Sequence, residues 1–402
     1  MRFRYSARKD GKPVKKALVY TRDEHGINAA DVDGDAVSIV ERLRAQGYET
    51  YIVGGAVRDL ILGKKPKDFD IASAASPARI KKVFRNARVI GRRFRLVHVY
   101  FGPKIFEVST FRSLKEGPTG NSFGSIEEDV LRRDFTLNAL FYDPGKEVVV
   151  DYVGGIKDIR EKRIRPIIPL SLIFKDDPVR MIRAVKYGAA AGFTLPLSLK
   201  WKIKRQSPLL LSVSPSRLTE EIFKIIRSPC AALIVEALEN FGLYGYLQPA
   251  ASRLMEEKSG FRSRYLAGLE LLNKPGFKNL PGQTLAALIQ DYLEDETDWE
   301  AGIAENYKST FALARAFVLP MNPPRVELDN AVRLVFAARG ITIKKSRFLE
   351  RGKPFHEKPL PAARNPGPAE DVPAEPRKPR NRRRRRGPRP ETGAGDRGSA
   401  DV

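Results

Sequence analysis

Two aspartates one residue apart, Asp68 and Asp70, close the stretch GGAVRDLILGKKPKDFD, which begins at the glycine pair Gly54-Gly55. On a strand, alternation turns both carboxylates to one side. Like charges held that close are costly unless a cation neutralises them, and hard oxygen donors suit Mg²⁺. A D-x-D alone reads equally well as a solvated polar turn. The glycines change that balance, because bare backbone N–H groups between a strand and a helix N-terminus can hold phosphates. Arg58 falls on the first turn of the following helix, and Lys64, Lys65 and Lys67 come just beyond. The combination points to phosphoryl transfer.

A third carboxylate would complete a two-metal arrangement. Glu107 is the candidate. Alternation along 105–111 puts Glu107, Ser109 and Phe111 on one face and Phe106, Val108 and Thr110 on the other. The residue reads as a metal ligand or as an outward-facing strand glutamate. Further on, DDPVR begins at Asp176. Pro178 suits a first helical position, Asp177 its N-cap, and Arg180 lies on the same face as both aspartates. An arginine fork beside a carboxylate complements an adenine edge. Without the other motifs, the same residues describe a capped helix with an ion pair.

The elements that would hold these groups follow from periodicity. Val37, Val40 and Leu43 recur at helical spacing, with Ile39 widening the apolar face. Then come a strand over 51–53, a helix over 56–62 closed by Gly63, and a strand over 68–73. A helix follows from Pro77 to about 85, then strands over 88–90, 95–100 and 105–111, and a Gly/Pro-rich loop over 113–124. After Pro169 the signals are helical: 178–190, 216–226, 231–241, 266–272, 284–293, 308–317 and 326–338. This order predicts an α+β sheet domain followed by helices. The expected divisions are an extension over 1–33, a sheet domain over 34–165, helical segments over 166–241 and 242–345 and a disordered tail over 346–402.

Composition narrows the partners. The chain has 402 residues and a formal charge of +24. From Arg351 onward it is rich in Pro, Arg and Gly with almost no large apolar side chains, so it lacks the burial needed to order itself. That stretch contains Arg382-Arg383-Arg384-Arg385-Arg386, either a solubilising end or a phosphate-binding arm. The rest of the chain stays strongly cationic, which favours a polyanion, usually nucleic acid. One cysteine, Cys230, excludes an internal disulfide, and three scattered histidines exclude a histidine-rich metal centre. No apolar run is long enough to span a bilayer, and the charged N-terminus has no secretory pattern. A soluble cytoplasmic monomer is expected.

Four motifs in this order and spacing, GGAVRD, DFD, RRDFTLNAL at 132–140 and DDPVRMIRA at 176–184, resemble the class II tRNA nucleotidyltransferase and bacterial poly(A) polymerase superfamily. The resemblance runs from about Ala36 to Phe241. Residues 89–99 (VIGRRFRLVHV) are similar to the segment that marks the poly(A) polymerase branch, as are FGSIEED, DYVGG and the Arg-rich terminus. The family implies a polymerase-β-like nucleotidyltransferase head, then an all-helical neck and body. It implies Asp68 and Asp70 as metal ligands, and Gly54, Gly55 and Arg58 as the triphosphate motif. Arg133, Asp134 and Asn138 would lie near the sugar and phosphates of the incoming nucleotide. Asp134 also reads as the N-cap of a helix over 135–140. Asp176, Asp177 and Arg180 match the nucleobase motif, although the family more often has Glu where Asp176 stands.

The resemblance implies template-independent transfer of AMP from ATP to RNA 3′ ends with two Mg²⁺ ions, beside RNA-decay or RNA-chaperone partners. The rivals are CCA addition to tRNA and a non-catalytic RNA-binding protein on the same scaffold. Met181, Ile182 and Val185 are expected core positions, Cys230 an inert buried thiol and His98 a packing residue.

Overall fold

The computed structural model describes residues 2–7, 13–91, 96–113, 122–272, 280–300 and 302–343. The segment Arg382–Arg386, residues 92–95 and most of the expected 113–124 loop lie outside them. Nine strands form one sheet: β1 Arg2–Ala7, β2 Pro13–Tyr20, β3 Thr50–Val53, β4 Asp70–Ser73, β5 Ala87–Ile90, β6 Leu96–Phe101, β7 Lys104–Thr110, β8 Leu140–Asp143 and β9 Val148–Asp151. Their spatial order is β1-β2-β9-β8-β3-β4-β7-β6-β5. β4 and β7 pair in parallel, and the other neighbours are antiparallel.

Alternation sorts the strand residues between two cores. Ile52, Ile71, Val108, Leu140 and Tyr142 point into the larger one, under the helices Gly34–Ala45 and Pro77–Val83. Tyr51, Val53, Ala72 and Phe141 point the other way, toward Ile126 and Val130 of the helix Ile126–Arg132. The larger core continues through Met181, Ile182 and Val185 of the helix Val179–Ala191, as expected, and on to the last helix, Arg325–Ala338.

Two expectations are corrected. The first 33 residues are not an extension: β2 pairs with β9, and Ala17, Tyr20, Ile27 and Val32 are buried. These sparse apolar positions suffice because the sheet supplies the backbone partners and most of the buried surface. No helix forms over 135–140 either. A short 3₁₀ turn, Thr136–Asn138, leads straight into β8, and the β8–β9 hairpin closes with Asp143 Oδ1 accepting from Lys146 N–H. The β-prone residues of β8 are buried on both faces, so a pattern of continuous apolar residues could not separate strand from helix.

From Ile173 onward the described residues hold helices and no strands. The helix at the DDPVR motif spans Val179–Ala191, and those over 216–226 and 231–241 are seen as Pro215–Ile226 and Ala231–Asn240. Among the helices not foreseen are Leu197–Gln206 and Pro249–Glu257.

Candidate active site

The site begins where β3 ends. Gly54 has φ +72° and ψ −128°, a conformation essentially reserved for glycine, and caps the helix Gly55–Ile61. A Cβ on Gly54 would meet the Arg133 guanidinium at 3.5 Å. Arg58, on that helix, gives two bonds to Asp59 (2.8 and 2.9 Å) and one to Asn138 Oδ1 (2.8 Å), and stacks over the Tyr187 ring. It is thus fixed in orientation before any ligand arrives.

β4 starts at Asp70, so Asp68 stands in the segment leading into the strand rather than on it. The pairing of β4 with β7 matches Ile71 to Val108, and one further step in that register sets Asp70 beside Glu107. Glu107 is on the face opposite its buried neighbours Phe106 and Val108, as alternation required. It also faces His98 across β6, with Nε2 3.6 Å from Oε1, so part of its role is a cross-strand pair. Asp70 stays open to solvent although protein surrounds it on most sides. Burial, then Glu107 and Asp68, push its carboxyl up to about 6, against the opposing charges of Arg133 and Lys224.

Asp70 feels the negative charge of Glu107 and Asp68, and carboxylate oxygens are the hard donors that Mg²⁺ prefers. Among the described residues, no three His, Cys, Asp or Glu side chains are grouped closely enough to hold a metal ion as they stand. The donor chemistry fits a divalent ion. Asp68, Asp70 and Glu107 are the residues that could hold it.

Arg133 borders this face. It is bidentate on Asp129 (2.9 and 3.1 Å), gives a third bond to the Asn138 carbonyl and lies over the Phe141 ring. Asp134 caps no helix. Its Oδ1 accepts from Phe135 N–H (2.8 Å) and from the Asn138 amide (3.1 Å), which holds the 3₁₀ turn in place.

The DDPVR motif is assembled differently from expectation. Asp177 stands one residue before the N-cap, which is Pro178 rather than Asp177 as expected; its carboxylate accepts from Val179 N–H and is clamped by Arg217 (2.9 and 3.0 Å). Arg180 is buried, with donors directed to the carbonyls of Ile173 and Arg132 and only a loose 3.9 Å contact with Asp176. Its charge therefore braces the neck against the head. Cys230 is half-buried, with Sγ 3.9 Å from the Ala190 carbonyl.

Sequence reasoning missed the helix Pro215–Ile226 as part of the site. Arg217, Glu221 and Lys224 recur at i, i+4 and i+7, so they share one face. Arg217 holds Asp177. Glu221 is buried and binds Arg183 (3.1 Å) and Lys186 (3.1 Å), while Lys224 carries its field to Asp70. Arg183 also lies 3.9 Å from Asp134, which links this ion cluster to the turn below Arg58. In sequence, such spacing looks the same as a solvated helix face.

Residues 50–165 match the family described as the poly A polymerase head domain, and residues 192–255 match "Probable RNA and SrmB- binding site of polymerase A". Residues 50–165 are thus similar to the head of poly(A) polymerases. Poly(A) polymerase I of Escherichia coli O6:H1 is 42% identical over 258 residues, covering 60% of this chain and 56% of that protein. The CCA-adding enzyme of Geobacillus thermodenitrificans is 35% identical over 243 residues, covering 58% of this chain and 60% of that protein. The chain thus spans a little over half the length of the curated relatives it matches. The crystal structure of the Bacillus stearothermophilus CCA-adding enzyme in complex with CTP overlays with a TM-score of 0.50 at 26% identity, over 75% of this chain and 82% of that one. The overlay shares the α+β head followed by helices.

Proposed function

We propose that this chain is a template-independent polynucleotide adenylyltransferase that moves AMP from ATP to an RNA 3′-hydroxyl and releases pyrophosphate. The observation that carries the reading is the register that sets Asp70 beside Glu107, within the field of Asp68, in a head that matches poly(A) polymerases. Asp68 and Asp70, with Glu107, would hold two Mg²⁺ ions. When bound, these supply the positive charge that makes the RNA hydroxyl more acidic and offsets the charge of the departing pyrophosphate.

The chain's own residues do the positioning. Gly55 offers an N–H group at a helix N-terminus to the triphosphate, Gly54 makes the turn with its own N–H given to the Leu140 carbonyl, and Arg58, already oriented by Asp59 and Asn138, adds a fixed cation. Arg133 and Asn138, tied to Asp129 and Asp134, border the sugar and phosphates. Asp176 and Asp177 present acceptors to the adenine amino group. Arg180 reaches a base only by giving up its bonds to Ile173 and Arg132. The cationic chain and its Arg382–Arg386 arm would hold the RNA phosphates. A cytoplasmic monomer working beside RNA-decay or RNA-chaperone proteins belongs to the same proposal.

The greater similarity to poly(A) polymerases than to CCA-adding enzymes, 42% against 35%, favours adenylation. The shared fold keeps CCA addition as the second reading. Incubation with ATP alone, CTP alone and both, on a general RNA and on tRNA lacking its 3′ end, separates them. Long A tails from ATP alone are expected. Two C residues followed by a single A, made only on tRNA, would replace adenylation with CCA addition.

A further inference from the structure

Between Pro178 and Thr219 the chain has no Asp or Glu but eight Lys and Arg, although acidic residues number 48 in the whole chain. Near the centre of this stretch lies the helix Leu197–Gln206, LSLKWKIKRQ. Its inner face is apolar, with Leu199 and Ile203 fully buried. Its outer face is unusual for a solvated helix. Leu197 is 81% exposed and Trp201, one turn later, 59% exposed. Arg205, another turn on, sets its guanidinium 5.1 Å from the Trp201 ring centroid. Residues at i, i+4 and i+8 form one stripe along a helix. Lys200, Lys202 and Lys204 surround that stripe, and among the described residues no carboxylate forms an ion pair with any of the four cations of this helix.

An exposed indole and leucine on one stripe leave apolar surface that a stacked ring would cover. A ring held flat by an adjacent arginine and ringed by lysines matches one ligand class closely: a single strand of nucleic acid, which offers a π-face at each base and a phosphate at each step. We infer that the Leu197–Gln206 helix is a stacking platform for single-stranded RNA, with Trp201 taking an RNA base while Lys200, Lys202, Lys204 and Arg205 take the flanking phosphates. The inference deepens the RNA-extending reading above and rests on it for the choice of RNA. The helix Leu197–Gln206 lies inside the 192–255 match, which names no residues.

The test uses the full chain without ATP, so that no tail grows. Trp299 is the other tryptophan, and Trp299→Phe leaves Trp201 as the reporter. Titration with a twelve-residue oligoadenylate RNA should quench Trp201 emission. Trp201→Ala should weaken binding about 5- to 150-fold, the range for one stacked base, while Trp201→Phe keeps most of the affinity. Changing the four cations to Gln should flatten the slope of log affinity against log salt by up to about 3. Trp201 is exposed, so these variants should keep the far-UV spectrum of the parent. Unaltered RNA affinity in Trp201→Ala overturns the inference, and so would a protein bound in place of RNA. Equal quenching by inorganic polyphosphate also overturns it, since that would mean charge without stacking. If Trp201→Ala loses RNA affinity but the parent chain never extends RNA with any nucleotide, the platform stands and the adenylation reading falls. If Trp201→Ala keeps full RNA affinity and the parent chain grows A tails, the platform falls and the adenylation reading stands.

Discussion

Glu221 should be among the most costly single residues to neutralise. Its carboxylate is buried (3% exposed side chain) and accepts from Arg183 and Lys186, each at 3.1 Å, with Lys224 at 3.9 Å. Glu221→Gln keeps the shape but leaves two cations in the interior without their anion. Charge-assisted bonds are worth about 1.5–3 kcal/mol each, and breaking a buried pair by removing one partner costs about 3–5 kcal/mol. Arg183 keeps 30% of its side-chain exposure, which lets water take part of its charge, so the lower end, about 3 kcal/mol, is expected. Burial alone would raise the Glu221 pKa, but Lys186, Arg183 and Lys224 together hold it below the ordinary 4.5. A carboxyl with a depressed folded pKa stabilises the protein above its unfolded value and loses that contribution as pH falls through the folded one. The gap between parent and Glu221→Gln in urea unfolding should therefore be full at pH 7 and close below about pH 4. Adding Lys186→Met to Glu221→Gln should recover part of the loss, since one stranded cation is gone. A gap under about 1 kcal/mol at pH 7, or one that persists at low pH, would refute the argument.

Asp70→Asn should cut adenylate transfer by about 100-fold or more, as loss of several kcal/mol of charge stabilisation requires, yet leave stability equal or higher. The reason is that burial, Glu107 and Asp68 all disfavour its charge, and urea melts beside a turnover assay check both halves. Gly54→Ala should lose about 1–3 kcal/mol on thermal or urea unfolding, because no side chain suits φ +72°, ψ −128°. Arg217→Gln frees the Asp177 carboxylate from its clamp and should change the ratio of kcat/KM for ATP over CTP by about tenfold, one charge-assisted bond's worth. Deleting 376–402, with its ten Lys and Arg, should weaken RNA binding and flatten its salt dependence by up to about 7, read from affinity titrations at several salt concentrations.

Parts of this protein can be read from its sequence because they depend on neighbours only a few residues away. The Gly54-Gly55 turn, the alternation along β7 and the helices over 215–226 and 231–240 follow from local periods and backbone preference. The +24 charge, set by composition, points to a polyanion. Contacts across long loops could not be read that way. β2 meets β9 across more than a hundred residues, so the N-terminal segment looked too poor in apolar residues to fold. Arg180 was expected to face a base and is instead buried against the Arg132 carbonyl, while Asp177 pairs with Arg217 from another helix. A sequence shows which charges exist and how they repeat along one element. Which partner each charge finds depends on how the elements pack, because desolvation and Coulomb attraction act through space, and so the Asp70–Glu107 and Arg183–Glu221–Lys186 groupings exist only in the folded chain.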